Sequence, residues 1–204
     1  MNTHTVFLVD DDDAIRHSAS FMLRHAGYTV KTYPDGITFL DQIQDTQNGC
    51  ILLDVRMPGM DGLAVQKILN QRGINMPVII LTGHGDVPVA VEAMKGGAIE
   101  FLEKPYEKQA LVGAIESAFD LLETQATGDR RSVDAKARLG SLTPRETEVL
   151  ECLVAGLTNK GIAQKLSISP RTVEIHRAHM MEKLDAESLS SALRLAFLAG
   201  VGAD

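Results

Sequence analysis

Four groups of side chains in this sequence have the types and spacing for phosphoryl chemistry. Asp10 to Asp13 follow the apolar run Val6 to Val9, and Asp54 follows Cys50 to Leu53. Directly after Asp54 comes the Pro/Gly-rich stretch Val55-Arg56-Met57-Pro58-Gly59-Met60-Asp61-Gly62. Lys104-Pro105 follows an apolar run at 99–102, and Thr82 ends another at 78–81. If these runs are neighbouring strands of a parallel sheet, the acids meet at its carboxyl edge, where open α/β folds place their sites. Clustered carboxylates repel one another unless a hard cation joins them, and oxygen-only ligands suit Mg²⁺. A carboxylate attacks an anionic phosphoryl donor poorly, so such a site works by neutralising charge. Mg²⁺ serves one side and the Lys104 ammonium the other. Pro105 allows a cis peptide that aims Lys104 inward.

The elements that must position these groups are legible as alternation. Strands are expected at 6–9, 28–32, 50–53, 78–81 and 99–102, with helices near 13–25, 35–44, 62–72, 87–95 and 107–122. In the first helix Ile15, Ala19 and Met22 share one face. Regular β-α alternation predicts a flavodoxin-like, doubly wound domain with a five-stranded parallel sheet. Asp12 and Asp13 read as helix cap and solvent-facing residues rather than ligands. His84, two residues beyond Thr82, is either a modulator of phosphoryl lifetime or a plain loop histidine.

Alternation stops after residue 122. The stretch 123–140 has few large apolar residues and Gly128 interrupts it, so it is expected to be a linker. The remainder, 141–204, reads as an all-α four-helix domain. Thr143-Pro144-Arg145-Glu146 combines a cap, a first-turn proline and a capping box, and Gly156 ends that helix. Further helices are expected near 159–166, 170–184 and 188–199. In the third of the four, Val173, Met180 and Leu184 share an inward face, and Arg171, Glu174, Ile175, Ala178 and Glu182 lie roughly opposite.

Residues 1–122 resemble a response-regulator receiver domain. That resemblance implies Asp54 as phosphoacceptor, with Asp10, Asp11, Asp54 and the Arg56 main-chain carbonyl as Mg²⁺ ligands. Thr82 and Lys104 would engage the phosphoryl group, and Phe101 would be the aromatic that changes rotamer with Thr82. Residues 141–204 resemble the helix-turn-helix domain of the LuxR/FixJ class, on Leu142-Thr143-Pro144-Arg145-Glu146, Gly156-Leu157-Thr158-Asn159-Lys160, Ile162-Ala163 and Ser169-Pro170-Arg171-Thr172-Val173-Glu174-Ile175-His176. The whole chain is similar to a FixJ-type two-component regulator. Implied partners are a sensor histidine kinase, double-stranded promoter DNA, a second copy after phosphorylation, and RNA polymerase. Val87, Val89, Val91 and Met94 include candidates for the dimer contact.

For DNA, Arg171 suits a phosphate or a guanine, Glu174 a cytosine amino group and Ile175 a thymine methyl, with Ala178 on the same face. Lys160, Thr172 and Lys183 suit phosphates that fix register. His176 and Arg177 fall on the inward flank and suit packing. Many relatives carry Lys or Arg where Glu174 and Ala178 stand here, which implies weak monomer binding with a shallow salt dependence.

Composition narrows the alternatives. The chain has 204 residues and a net charge of −7, which disfavours non-specific coating of nucleic acid. Residues 1–122 hold 9 Lys and Arg against 16 Asp and Glu, whereas 159–183 hold five basic and two acidic residues. No leader or membrane span is expected, and Cys50 and Cys152 read as reduced core thiols in a cytoplasmic protein. The chain is expected not to be an enzyme. A haloacid-dehalogenase-type phosphatase needs a second Asp two residues after its nucleophile, and Arg56 stands there. A phosphorylation-independent interaction module is the other alternative.

Overall fold

In the computed structural model of the chain, residues 4–44, 49–83, 87–123 and 128–202 are described. They fall into two compact units: Met1–Gly85 with Gly96–Gln125, and Asp86–Lys95 with Ala126–Asp204.

The first unit carries a parallel sheet of β1 (Thr5–Val9), β2 (Thr29–Tyr33), β3 (Cys50–Asp54), β4 (Val78–Thr82) and β5 (Glu100–Glu103), in the order β2-β1-β3-β4-β5. β3 and β4 are buried at every position, which is why they read as unbroken apolar runs. Helices α1 (Asp13–His25), α2 (Gly36–Gln42), α3 (Gly62–Gln71) and α5 (Lys108–Glu123) connect or follow these strands, and α4 (Val87–Lys95) lies between β4 and β5. Val6, Leu8, Leu52, Ile79 and Leu81 pack with Leu23 of α1 and with Leu111, Ile115 and Phe119 of α5. Alternate strand residues point to the other face, where Phe7 lies beside Phe39 of α2 with centroids 6.3 Å apart. Each large side chain buried this way contributes about 1.5–3 kcal/mol.

β1 and β3 are hydrogen-bonded neighbours, yet their connections run to opposite faces of the sheet. That strand order creates the crevice at the carboxyl edge. Val9 is in register with Leu53, so the residues that follow them, Asp10 and Asp54, emerge side by side. The turn after Asp54 closes tightly because position 62 is glycine. A Cβ there would sit 2.2 Å from the Asp54 carbonyl oxygen.

The second unit is helical. It contains α4 together with α6 (Gly128–Leu139), α7 (Pro144–Val154), α8 (Asn159–Leu166), α9 (Pro170–Leu184) and α10 (Leu189–Leu198). Thr143 caps α7 in a full capping box, Thr158 caps α8, Ser169 caps α9 with Pro170 in its first turn, and Ser188 caps α10. Gly156, at φ +79°, adopts the left-handed conformation just beyond α7. Val173, Met180 and Leu184 are fully buried, as the helical wheel requires.

One expectation needs correction: α6 occupies most of the stretch read as a linker. Gly128 is its first residue, where a poor helix former costs little, rather than an interruption. Ala135 is fully buried, and Arg138 donates to the Leu184 carbonyl at the end of α9 (3.2 Å). A guanidinium at a helix C-terminus satisfies an orphan acceptor and complements the dipole. Among the described residues no helix is long and apolar enough to cross a membrane.

Candidate functional site

Ligand oxygens of Asp10, Asp11 and Asp54 lie within 4.8 Å of one another at the sheet edge. Asp10 is wholly buried and Asp54 is 5% exposed, whereas Asp11 faces solvent. Two of the three acids are thus buried and the third is open to water. Three carboxylates at this spacing match the donor set a hard divalent cation takes. Asp12 caps α1 by accepting from the Ala14 and Ile15 amides, and Asp13 pairs with Arg16. The Asp12 amide also donates to Asp10 Oδ1 at 2.9 Å.

Lys104 reaches the cluster from the loop after β5. Its Nζ donates to Asp10 Oδ2 (2.6 Å) and to Asp54 Oδ1 (2.5 Å). The Lys104-Pro105 bond is cis, and the Lys104 amide donates to the Thr82 carbonyl at 2.7 Å. Thr82 is buried at the end of β4. Phe101 and Tyr106 are half-buried.

Burial drives the electrostatics. Desolvation pushes the Asp54 carboxyl above its usual range, and the charge of Asp10 adds to that. The hydrogen bond and charge of Lys104, together with the Arg56 amide, act the other way. Burial alone would lower the Lys104 ammonium, but its two carboxylate partners outweigh that and hold it above its usual value. His84 lies outside the described residues. Val91 and Met94 are buried and Val87 and Val89 half-buried.

The second candidate surface is the exposed side of α9. Arg171, Glu174 and Ala178 are exposed, and Ile175 is 45% exposed, unusual for a large apolar side chain. Lys160 is exposed near the start of α8. Arg171 pairs with Glu174 at 3.0 Å, an exposed contact of little energy that holds the two heads together. Arg177 donates to Asn159 Oδ1 (2.5 Å), linking α9 to α8 from the inward flank. Thr172 has its hydroxyl on Ser169 Oγ (2.8 Å) within the cap of α9.

Lys183 departs from expectation. Its ammonium donates to both oxygens of Glu146, at 3.0 and 2.8 Å, rather than standing ready for a phosphate. Glu146 is 3% exposed and also accepts from the Thr143 amide. Sequence reasoning missed this bridge because it joins α7 to α9 across 37 positions. The only local signal was Glu146 doing capping-box duty on a face that must be buried.

Family models match both halves: "Response regulator receiver domain" over residues 6–116 and "Bacterial regulatory proteins, luxR family" over 140–196. The transcriptional regulatory protein FixJ of Bradyrhizobium diazoefficiens is 47% identical over 196 residues, 96% of each chain. FixJ of Rhizobium meliloti is 46% identical over 99% of each. The crystal structure of full-length FixJ from B. japonicum matches with a TM-score of 0.59 and 46% identity, covering 98% of each chain. This chain belongs to the two-component response regulators of the FixJ type, a receiver domain joined to a LuxR-type DNA-binding domain. Such proteins control transcription in response to phosphorylation, and these relatives are regulators rather than enzymes.

The Glu146 bridge has a pH signature. Lys183, then the Thr143 amide, holds the Glu146 carboxyl at about 2 against an ordinary 4.5. A lowered acid stabilises the fold fully above its unfolded value and loses that contribution as pH falls through the folded one. Glu146→Gln should therefore cost about 1–3 kcal/mol at neutral pH. The gap from the native chain should close between pH 4.5 and 2, measured as urea midpoints of the second unit's transition. A gap that persists unchanged at pH 2 contradicts the bridge.

Proposed function

We propose that Asp54 accepts a phosphoryl group from a sensor histidine kinase and that the change drives dimerisation on promoter DNA. The observation that carries this reading is the buried pair Asp10 and Asp54 held by one lysine beside a third acid. In the transfer, an Asp54 oxygen forms the new P–O bond as the donor P–N bond breaks, and the electron pair returns to the imidazole. Asp10, Asp11, Asp54 and the Arg56 main-chain carbonyl would hold Mg²⁺. When bound, the cation neutralises charge on the phosphoryl oxygens. Lys104 supplies the fixed positive charge on the other side and turns from the Asp54 carboxylate to the phosphoryl group. Thr82 follows that group with its hydroxyl, and Phe101 takes up the space released. The phosphoryl group need bias such a two-state surface by only a few kcal/mol to shift its population.

The DNA-reading half runs through Arg171, Glu174, Ile175 and Ala178 toward base edges, with Lys160 and the Thr172 region toward the backbone. Lys183 is reassigned to holding α7 against α9. Weak binding by one copy explains why pairing across two half-sites matters. Activation through RNA polymerase contact and a cytoplasmic setting follow from the same reading. The boundaries proposed are a receiver at 1–122 and a DNA-binding domain at 141–204, with 123–140 contributing α6 to the latter's packing.

Asp54→Asn should abolish labelling by acetyl phosphate in the presence of Mg²⁺, followed by intact-protein mass spectrometry. Undiminished labelling would move the acceptor elsewhere. On DNA, Lys160→Ala should reduce the slope of log affinity against log salt by about 0.9, the loss of one phosphate contact. An unchanged slope in fluorescence anisotropy would remove Lys160 from the interface.

A further inference from the structure

Away from the acidic cluster, α1 and the end of β2 enclose an open groove of about 720 Å³, within the size range of small-molecule sites. Its walls carry two guanidinium groups and two imidazoles, Arg16, Arg24, His17 and His25, against one acid, Asp13. The two guanidiniums outnumber the one acid, on a half-chain of net charge −7. Arg16 is already committed, since it pairs with Asp13 and donates to the Asp10 carbonyl at 2.6 Å. Arg24 has far more to offer: among the described residues its head makes one long hydrogen bond, 3.4 Å to the Val30 carbonyl, from five donors.

Two further features of the groove have no role in the phosphoryl site. Phe21 is 77% exposed, the most exposed large hydrophobic side chain among the described residues. Its ring lies within 11° of parallel to His25, with centroids 6.4 Å apart. Ser20 is 9% exposed and lines the same groove, and among the described residues its hydroxyl has no hydrogen-bond partner. One exposed Phe needs no explanation. A buried hydroxyl left unpaired does, because folding removes it from water without replacing the bond.

We propose that this groove is a binding site for a small planar organic anion, an aromatic carboxylate or phosphonate. The ring of the ligand lies against Phe21 and His25. Its anionic group takes a two-pronged contact from Arg24. An aliphatic or inorganic anion satisfies only half of that surface. The inference is independent of whether Asp54 takes a phosphoryl group, since the groove is lined by neither Asp54 nor Lys104.

The test is a titration of the full-length chain with benzoate and with phenylphosphonate, followed by amide chemical shifts. Saturable shifts are expected at residues 20–25 and at Thr32, and they should persist in Asp54→Asn. Arg24→Gln should weaken binding about tenfold, the loss of a charge-assisted pair, and Phe21→Ala should weaken it as well. Both side chains are at the surface of α1, and an otherwise unchanged amide spectrum verifies the fold of each variant. Inorganic phosphate serves as the second arm. The proposal is overturned if no shift saturates, or if phosphate binds as tightly as phenylphosphonate and Phe21→Ala is without effect. Shifts centred on Asp10 and Asp54 and lost in Asp54→Asn overturn it equally.

Discussion

Two carboxylates buried side by side set the terms for this protein. At an effective dielectric near 20, like charges about 4 Å apart repel by roughly 4 kcal/mol, and burial adds a desolvation penalty to each. Asp10 and Asp54 are nevertheless adjacent, because β1 and β3 are paired and each strand delivers its acid at the same level. Lys104 relieves the conflict by donating to both. That solution satisfies the pair without saturating it: three acids remain against one ammonium, and Asp11 stays open to water. The geometry is therefore a charge imbalance held in place by paired strands.

The helical unit solves a different problem, which is to hold α9 at a fixed attitude. Caps start α7, α8, α9 and α10, Arg138 closes the C-terminus of α9, and the Glu146–Lys183 bridge ties α9 to the capped start of α7. The residues that hold α9 and the residues that face outward from it are different residues. Val173, Met180, Leu184, Arg177 and Lys183 secure the helix, and Arg171, Glu174, Ile175 and Ala178 are left for a partner. Such separation lets the readout change without loosening the scaffold.

How much of this was legible in the sequence depended on the range of the interaction. β1, β3 and β4 were readable because both faces are buried, so their residues are apolar without interruption. The edge strand β5 is less buried and was placed one residue early. α8 and α9 were bounded correctly because Thr158, Ser169 and Pro170 are local signals. α6 was missed because Gly128 and the scarcity of large apolar residues around it read as a linker. The acids could be placed at one edge from strand order alone. That Lys104 grips Asp10 and Asp54, across 94 and 50 positions, became visible only in three dimensions. Lys183 was assigned to a phosphate for the same reason: its partner lies too far away in sequence to suggest itself.

The central claim is that Asp10, Asp11 and Asp54 act together as one divalent-cation site. Calorimetric titration of the intact chain with Mg²⁺ tests it most directly. Binding should weaken about tenfold or more on neutralising either Asp10 or Asp54 to Asn, since affinity in oxygen-ligand sites follows ligand charge. Equal affinity in the native chain and in both variants would mean that the acids do not share an ion, and the account of the switch would have to be abandoned.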